Sequence, residues 1–215
     1  MLRDIPSNTL YTVLMAISLL ALALAKLMAP ARFNEFINVI GNSRYLKIYS
    51  RDQKFIDLYD GLLFVNLVLS LTIFCNIYFS TVVGDFKMDY TLTVKLLLGS
   101  SIFILAKVLI ERLIGSLFEI DAIIDNYLFQ KISYKNYLGL LLLPVNGFLV
   151  FSITPTKPII YTVIIALSIV NLSGLLTSFK THLNEIKHNL FYFILYLCAL
   201  EISPYIIVYA IFVPT

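Results

Sequence analysis

The chain has 215 residues, 60% of them hydrophobic and only 13% charged, with a formal net charge of +3 and a mean hydropathy of +0.89. Water-soluble domains carry about 25% charged residues, so a soluble enzyme or binding module is excluded and an integral membrane protein is expected. The 16 basic residues are divided among short segments between apolar runs, which reads as an orientation signal rather than a nucleic-acid-binding surface.

The first apolar run, 8–28, is long enough to cross a bilayer, which takes about 20 residues. A cleavable leader would have a shorter apolar core with its positive charge in front. Here Lys26 and Arg32 follow the run, so the segment is expected to remain. Next, over about 31–40, Phe33, Phe36, Ile37 and Ile40 recur at i, i+3, i+4 and i+7. That spacing puts them on one face of a helix, read as lying in the membrane interface on the cytoplasmic side.

Further spans are expected at 61–83 and 90–114. Within the latter, Lys107 and Glu111 are four apart and can meet on one helix face as an ion pair. Lys95 lies near its opposite end and is free to bend outward. A second interfacial helix is expected over about 117–131, where Leu117, Ile120, Ile124, Tyr127 and Leu128 share a face while Glu119, Asp121 and Asp125 occupy the other. The acidic face disfavours anionic lipid. Both apolar faces are suited to packing on the protein's own inner mouth or on a partner.

The fourth span, 137–153, is short and carries Pro144, Asn146 and Gly147, which weaken a helix in mid-membrane. The fifth, 158–178, contains Asn171, and the sixth, 190–213, contains Glu201 and Pro204. At a rise of about 1.5 Å per residue, Glu201 lies about 15 to 17 Å deep. An ionisable group at that depth is a functional hypothesis by default. Pro204 has no amide hydrogen for the carbonyl of Leu200, leaving it open beside the acid. Glu201 therefore either pins the bundle through Asn146 or Asn171, holds a proton or cation, or meets a partner.

Charge counting supports six spans. Lys26, Arg32, Arg44, Lys47, Arg51, Lys54, Lys107, Arg112, Lys131, Lys135, Lys180 and Lys187 fall on one side, and Arg3, Lys87, Lys95 and Lys157 on the other. Basic residues mark the cytoplasmic side, so both termini are expected outside the cytoplasm. Omitting the weak fourth span scatters the bias. Tyrosines such as Tyr59, Tyr78, Tyr90 and Tyr137 near span ends read as an interface belt, in a chain with no Trp.

The closing segment from Phe191 to Pro204, which reads FYFILYLCALEISP, resembles the signature of a family of small multi-pass bacterial inner-membrane proteins defined only as a domain of unknown function. Arg32-Phe33-Asn34, and the stretch from Asn126-Tyr127-Leu128-Phe129 to Pro144, are similar to that family as well. The resemblance covers nearly the whole chain and implies an inner-membrane location without implying a chemistry. The ending at Pro214-Thr215 departs from it, since a Leu-rich close on Lys is expected there.

The expected architecture is thus all-α, one membrane domain over 1–215 with six transmembrane helices and two interfacial helices. HExxH, GxSxG, Walker and dinucleotide-loop motifs do not occur. Cys75 and Cys198 both lie in apolar runs, and His182 and His188 are six apart, so neither a disulfide framework nor a metal-ligand spacing is present. No cofactor, metal or enzymatic activity is expected. Membrane lipid is the expected partner, with other membrane proteins a further class. Two functions fit: a scaffold or accessory subunit of an envelope complex, or a small transporter or lipid flippase that uses Glu201.

Overall fold

Lipid leaves a spanning backbone no water to bond, so each segment must satisfy its own amides, and a helix does this within one stretch of chain. The computed structural model describes residues 9–39, 44–49, 57–83, 90–117 and 121–186. Regular structure among them is entirely helical: α1 (Thr9–Met28), α2 (Pro30–Ile37), α3 (Arg44–Tyr49), α4 (Leu58–Tyr78), α5 (Tyr90–Leu117), α6 (Asp121–Gly147) and α7 (Lys157–Ile186). Wide π-turns, Phe79–Val83 and Phe148–Ser152, extend α4 and α6.

Four segments are long and apolar enough to cross a membrane: Thr9–Met28, Leu58–Val82, Tyr90–Leu117 and Lys157–Gly174. They match the expected first, second, third and fifth spans. The second begins three residues before the expected Gly61, because the Asp57 carboxylate accepts the Tyr59 backbone N–H at 3.3 Å and caps the helix. The sixth expected span lies outside the described residues.

α4 is the central element. Of its most apolar stretch 61% is buried, against 22% for α1 and 11% each for α5 and α7. It packs against α1, α5 and α6, while α7 leans on α6. The outer helices direct large apolar side chains away from the bundle: Val13, Ile17, Leu20 and Leu24 on α1, Leu98, Ile102, Leu105 and Leu109 on α5, and Ile165, Ile169 and Leu172 on α7. Spacings of three and four make each set one stripe, the face a lipid-embedded helix presents.

Between α4 and α6 the approach is closest at Gly139, where an added Cβ would lie 2.6 Å from the Leu67 Cα. A small residue at this crossing lets two backbones touch. Two apolar clusters fill the bundle, one at each end. Phe33, Phe36, Val39, Tyr45, Tyr59, Leu63, Phe129 and Tyr134 pack where α4 begins. Ile73, Phe74, Ile77, Leu142, Leu149 and Ile160 pack where α4 ends.

α6 departs from the expected arrangement of an interfacial helix followed by a separate fourth span. It is one unbroken helix of 27 residues from Asp121 to Gly147, about 40 Å long. Polar residues of its charged first half meet α5: Arg112 Nε lies 3.5 Å from Asp125 Oδ1, and Lys131 Nζ lies 2.5 Å from Glu111 Oε1. The helix continues through Pro144, and just beyond it the backbone widens, with the Ile153 N–H bonding the Phe148 carbonyl at 2.9 Å, five residues back.

Candidate functional site

At the end of the bundle where α4 begins, one guanidinium organises three elements. α2 starts on Pro30, whose fixed φ suits a first helical position, and two residues later projects Arg32 toward α4. Arg32 donates from Nη1 to Asp57 Oδ2 and from Nη2 to Asp60 Oδ2, the latter at 2.8 Å. Its side chain is 13% exposed. The Arg32 Cζ stands 4.4 Å from the Tyr59 ring centroid and 5.2 Å from that of Tyr49, within reach of a cation–π attraction.

Tyr45, on α3, completes the layer. Its ring stacks on Phe129 of α6 at 5.7 Å and meets Phe36 edge-on at 5.6 Å. Burial, and then the Asp60 carboxylate, push the Tyr45 phenol above its ordinary value of 10.0, so it is neutral throughout the physiological range. Burial alone would lower Arg32; the carboxylates of Asp60 and Asp57 outweigh it and raise the guanidinium. The cation is permanent. With two carboxylates on it, this centre clamps α2 and α3 to α4 rather than offering an open anion site.

A second polar centre joins α5 to α6. The Lys131 and Glu111 side chains are only 5% and 1% exposed, and Lys107, one turn before Glu111, is buried as well. Glu111 Oε1 takes the Lys131 ammonium, while Oε2 has no hydrogen-bond partner. Glu111, expected to meet Lys107 on its own helix, is bonded across the helix interface to Lys131.

Deeper in the bundle, polar side chains link helices singly. Ser18 of α1 donates to Asn66 Oδ1 of α4 at 2.6 Å. Asn146 Nδ2 of α6 donates to the Ser70 carbonyl of α4 at 2.8 Å. Asn76 Nδ2 donates to the Thr72 carbonyl at 3.0 Å and lies 3.5 Å from Thr93 Oγ1 of α5.

The sequence-predicted residues therefore separate. Lys107 and Glu111 are buried at α5–α6; Asn146 is buried against α4; Asn171 is half-buried on α7; Lys95 is exposed and does not face the interior. Glu201 and Pro204 lie outside the described residues, as do Ile40 and Ile120. Of the two faces read as partner-binding, Phe33, Phe36, Ile124, Tyr127 and Leu128 are buried in the protein's own core, whereas Ile37 and Leu117 are exposed at 42% and 72%.

Sequence reasoning missed the Arg32 clamp because Asp57 and Asp60 stand 25 and 28 residues away, a separation that carries no signal in one sequence. Tyr59, read as an interface-belt residue, is 2% exposed beneath Arg32. Lys131 was legible, since it lies seven residues after Ile124 and continues the stripe of Ile124, Tyr127 and Leu128. A lysine on an apolar stripe calls for a buried acid.

Among the described residues, no group of three or more His, Cys, Asp or Glu is placed to hold a metal ion. The sequence profile of a domain of unknown function, DUF4271, matches residues 11–212, and the chain belongs to that family. No curated protein and no solved structure matches it.

Proposed function

We propose that this member of the DUF4271 family is a non-enzymatic, multi-pass protein of the bacterial inner membrane, threaded six times with both termini outside the cytoplasm, and that it serves as a scaffold or accessory subunit of an envelope complex. The supporting observation is how its polar side chains are used. Ser18 with Asn66, Asn146 with Ser70, and Glu111 with Lys131 each join one helix to another. Such bonds fix helices in lipid. The apolar stripes of α1, α5 and α7 face outward, where lipid or other membrane helices cover them. Six crossings rest on the division of basic residues, twelve against four.

Isolation of the full chain from membranes in a mild detergent after in-cell cross-linking tests the reading. The expected result is a small set of membrane proteins recovered in fixed ratio with it. Recovery as a lone monomer under every cross-linking condition would contradict a scaffold role.

The alternative is a small transporter or lipid flippase with Glu201, beside the carbonyl freed by Pro204, as its proton or cation site. The π-turn just beyond Pro144 favours it, since irregular backbone at membrane depth accompanies transport sites. Glu201→Gln keeps size and hydrogen bonding but removes titration. Under this reading the variant folds and loses the wild-type phenotype; retention of that phenotype excludes proton coupling.

A further inference from the structure

A cleft of about 380 Å³ opens between the first turns of α4, the second half of α5 and the middle of α6. Its walls are mostly hydrocarbon, including Phe64, Leu67, Ile104, Val108, Leu128 and Ile132, and the exposed Leu105 and Leu109 of the outward α5 stripe border it. The volume is at the lower end of the range for ligand pockets, about 300–1,000 Å³, and suits one alkyl chain.

Asn136 lines this cleft. It is 1% exposed, yet neither its Nδ2 nor its Oδ1 has a hydrogen-bond partner. A buried amide with both ends unmet is costly, and in a cleft it marks where a ligand's polar atoms belong. The missing group must both donate and accept, as a hydroxyl or amide does and an ester carbonyl does not. Charge narrows the class further. The acids at the cleft, Asp57, Asp60 and Asp125, are already paired with Arg32 and Arg112, and among the described residues Lys135 is the one cation in the lining, so no cationic cluster is offered to a phosphate or free carboxylate.

We infer that this cleft is a binding site for an uncharged single-chain lipid bearing a hydroxyl or amide close to its chain, held by the Asn136 amide with the tail along α5. Depth agrees. Asn136 precedes by three residues the Gly139 that touches Leu67, so it sits about one turn, roughly 5 Å, on the α4-start side of that crossing. Leu67 is nine residues into the apolar segment that starts at Leu58, which puts Asn136 within about 10 Å of that end of the segment. The inference does not depend on the scaffold reading, since a bound lipid is compatible with either function.

The experiment is equilibrium binding of radiolabelled monoolein to the full chain in mild detergent, with oleate and dioleoylphosphatidylglycerol as competitors. Two variants bracket the site. Asn136→Leu keeps volume while removing the amide, and because that amide is unpartnered the fold is not weakened. Gly61→Leu places a side chain in the cleft, where nothing lies within 4 Å of an added Cβ. The expected result is one saturable monoolein per chain, weakened about tenfold or more in each variant, and displaced poorly by either anion. The absence of saturable monoolein binding, wild-type affinity in both variants, or preference for the phosphoglycerol lipid would overturn the inference.

Discussion

Removing the Lys131 ammonium takes from the buried Glu111 carboxylate the cation bonded to it, and the cost follows from the geometry. At a separation near 4 Å two unit charges attract by about 4 kcal/mol with an effective dielectric of 20. The two side chains are 5% and 1% exposed, and stripping water from each ion costs several kcal/mol. Attraction and desolvation nearly cancel, so the pair is close to neutral against an apolar pair. Breaking it is not. Lys131→Met is expected to destabilise the bundle by about 3–5 kcal/mol, the cost of breaking a buried ion pair from one side. Glu111→Leu is expected to cost less, because the lysine stem can bend its ammonium toward the surface while the short Glu111 cannot. The double variant should recover most of the loss. Reversible unfolding of the purified chain from mild detergent into SDS, run as a double-mutant cycle, measures all three. A loss below about 1 kcal/mol for Lys131→Met, or simple additivity in the double variant, refutes the buried pair.

Three other expectations follow from the same geometry. Arg32→Lys keeps the charge but cannot bridge Asp57 and Asp60 while lying over Tyr59, so it should lower stability by about 1–3 kcal/mol in the same unfolding assay. Gly139→Val drives a side chain into the Leu67 backbone and should cost about 3 kcal/mol or more, whereas Gly61→Ala, in open space, should be neutral or stabilise by up to about 1 kcal/mol. The Tyr45 phenol is raised by burial above its ordinary 10.0. Its contribution is thus fully present below pH 10 and is lost as pH rises toward the folded value, because the unfolded phenol ionises first. The difference in phenolate absorbance between wild type and Tyr45→Phe should place that one group later than an ordinary tyrosine.

Much of the fold was legible because a bilayer imposes a length. The apolar runs at 8–28, 61–83, 90–114 and 158–178 coincide with α1, α4, α5 and the first part of α7 to within a few residues at most ends, and α7 continues to Ile186. The nature of the 117–131 segment was less so. Glu119, Asp121 and Asp125 opposite an apolar face make it read as interfacial, and the facing Arg112 and Glu111 of α5 show how Asp125 and Lys131 are paired within one continuous helix. Of the face read there, Ile124, Tyr127 and Leu128 are buried while Leu117 is 72% exposed. The clamp on Arg32 was out of reach, since periodicity reports only neighbours along the chain. Asn136 stands within the stretch that resembles the family, but an amide near a span end between Tyr134 and Tyr137 has nothing in its local pattern to mark it as unpartnered.

The central claim is a chain that crosses the membrane with its Arg32 end in the cytoplasm and its α6–α7 turn on the opposite side. Single cysteines at Asn34 and Thr156, both exposed positions, in a background lacking Cys75 and Cys198, test it in spheroplasts with a membrane-impermeant maleimide. Asn34→Cys should label only after the membrane is permeabilised, and Thr156→Cys should label at once. Immediate labelling of both, or the reverse order, would contradict the account.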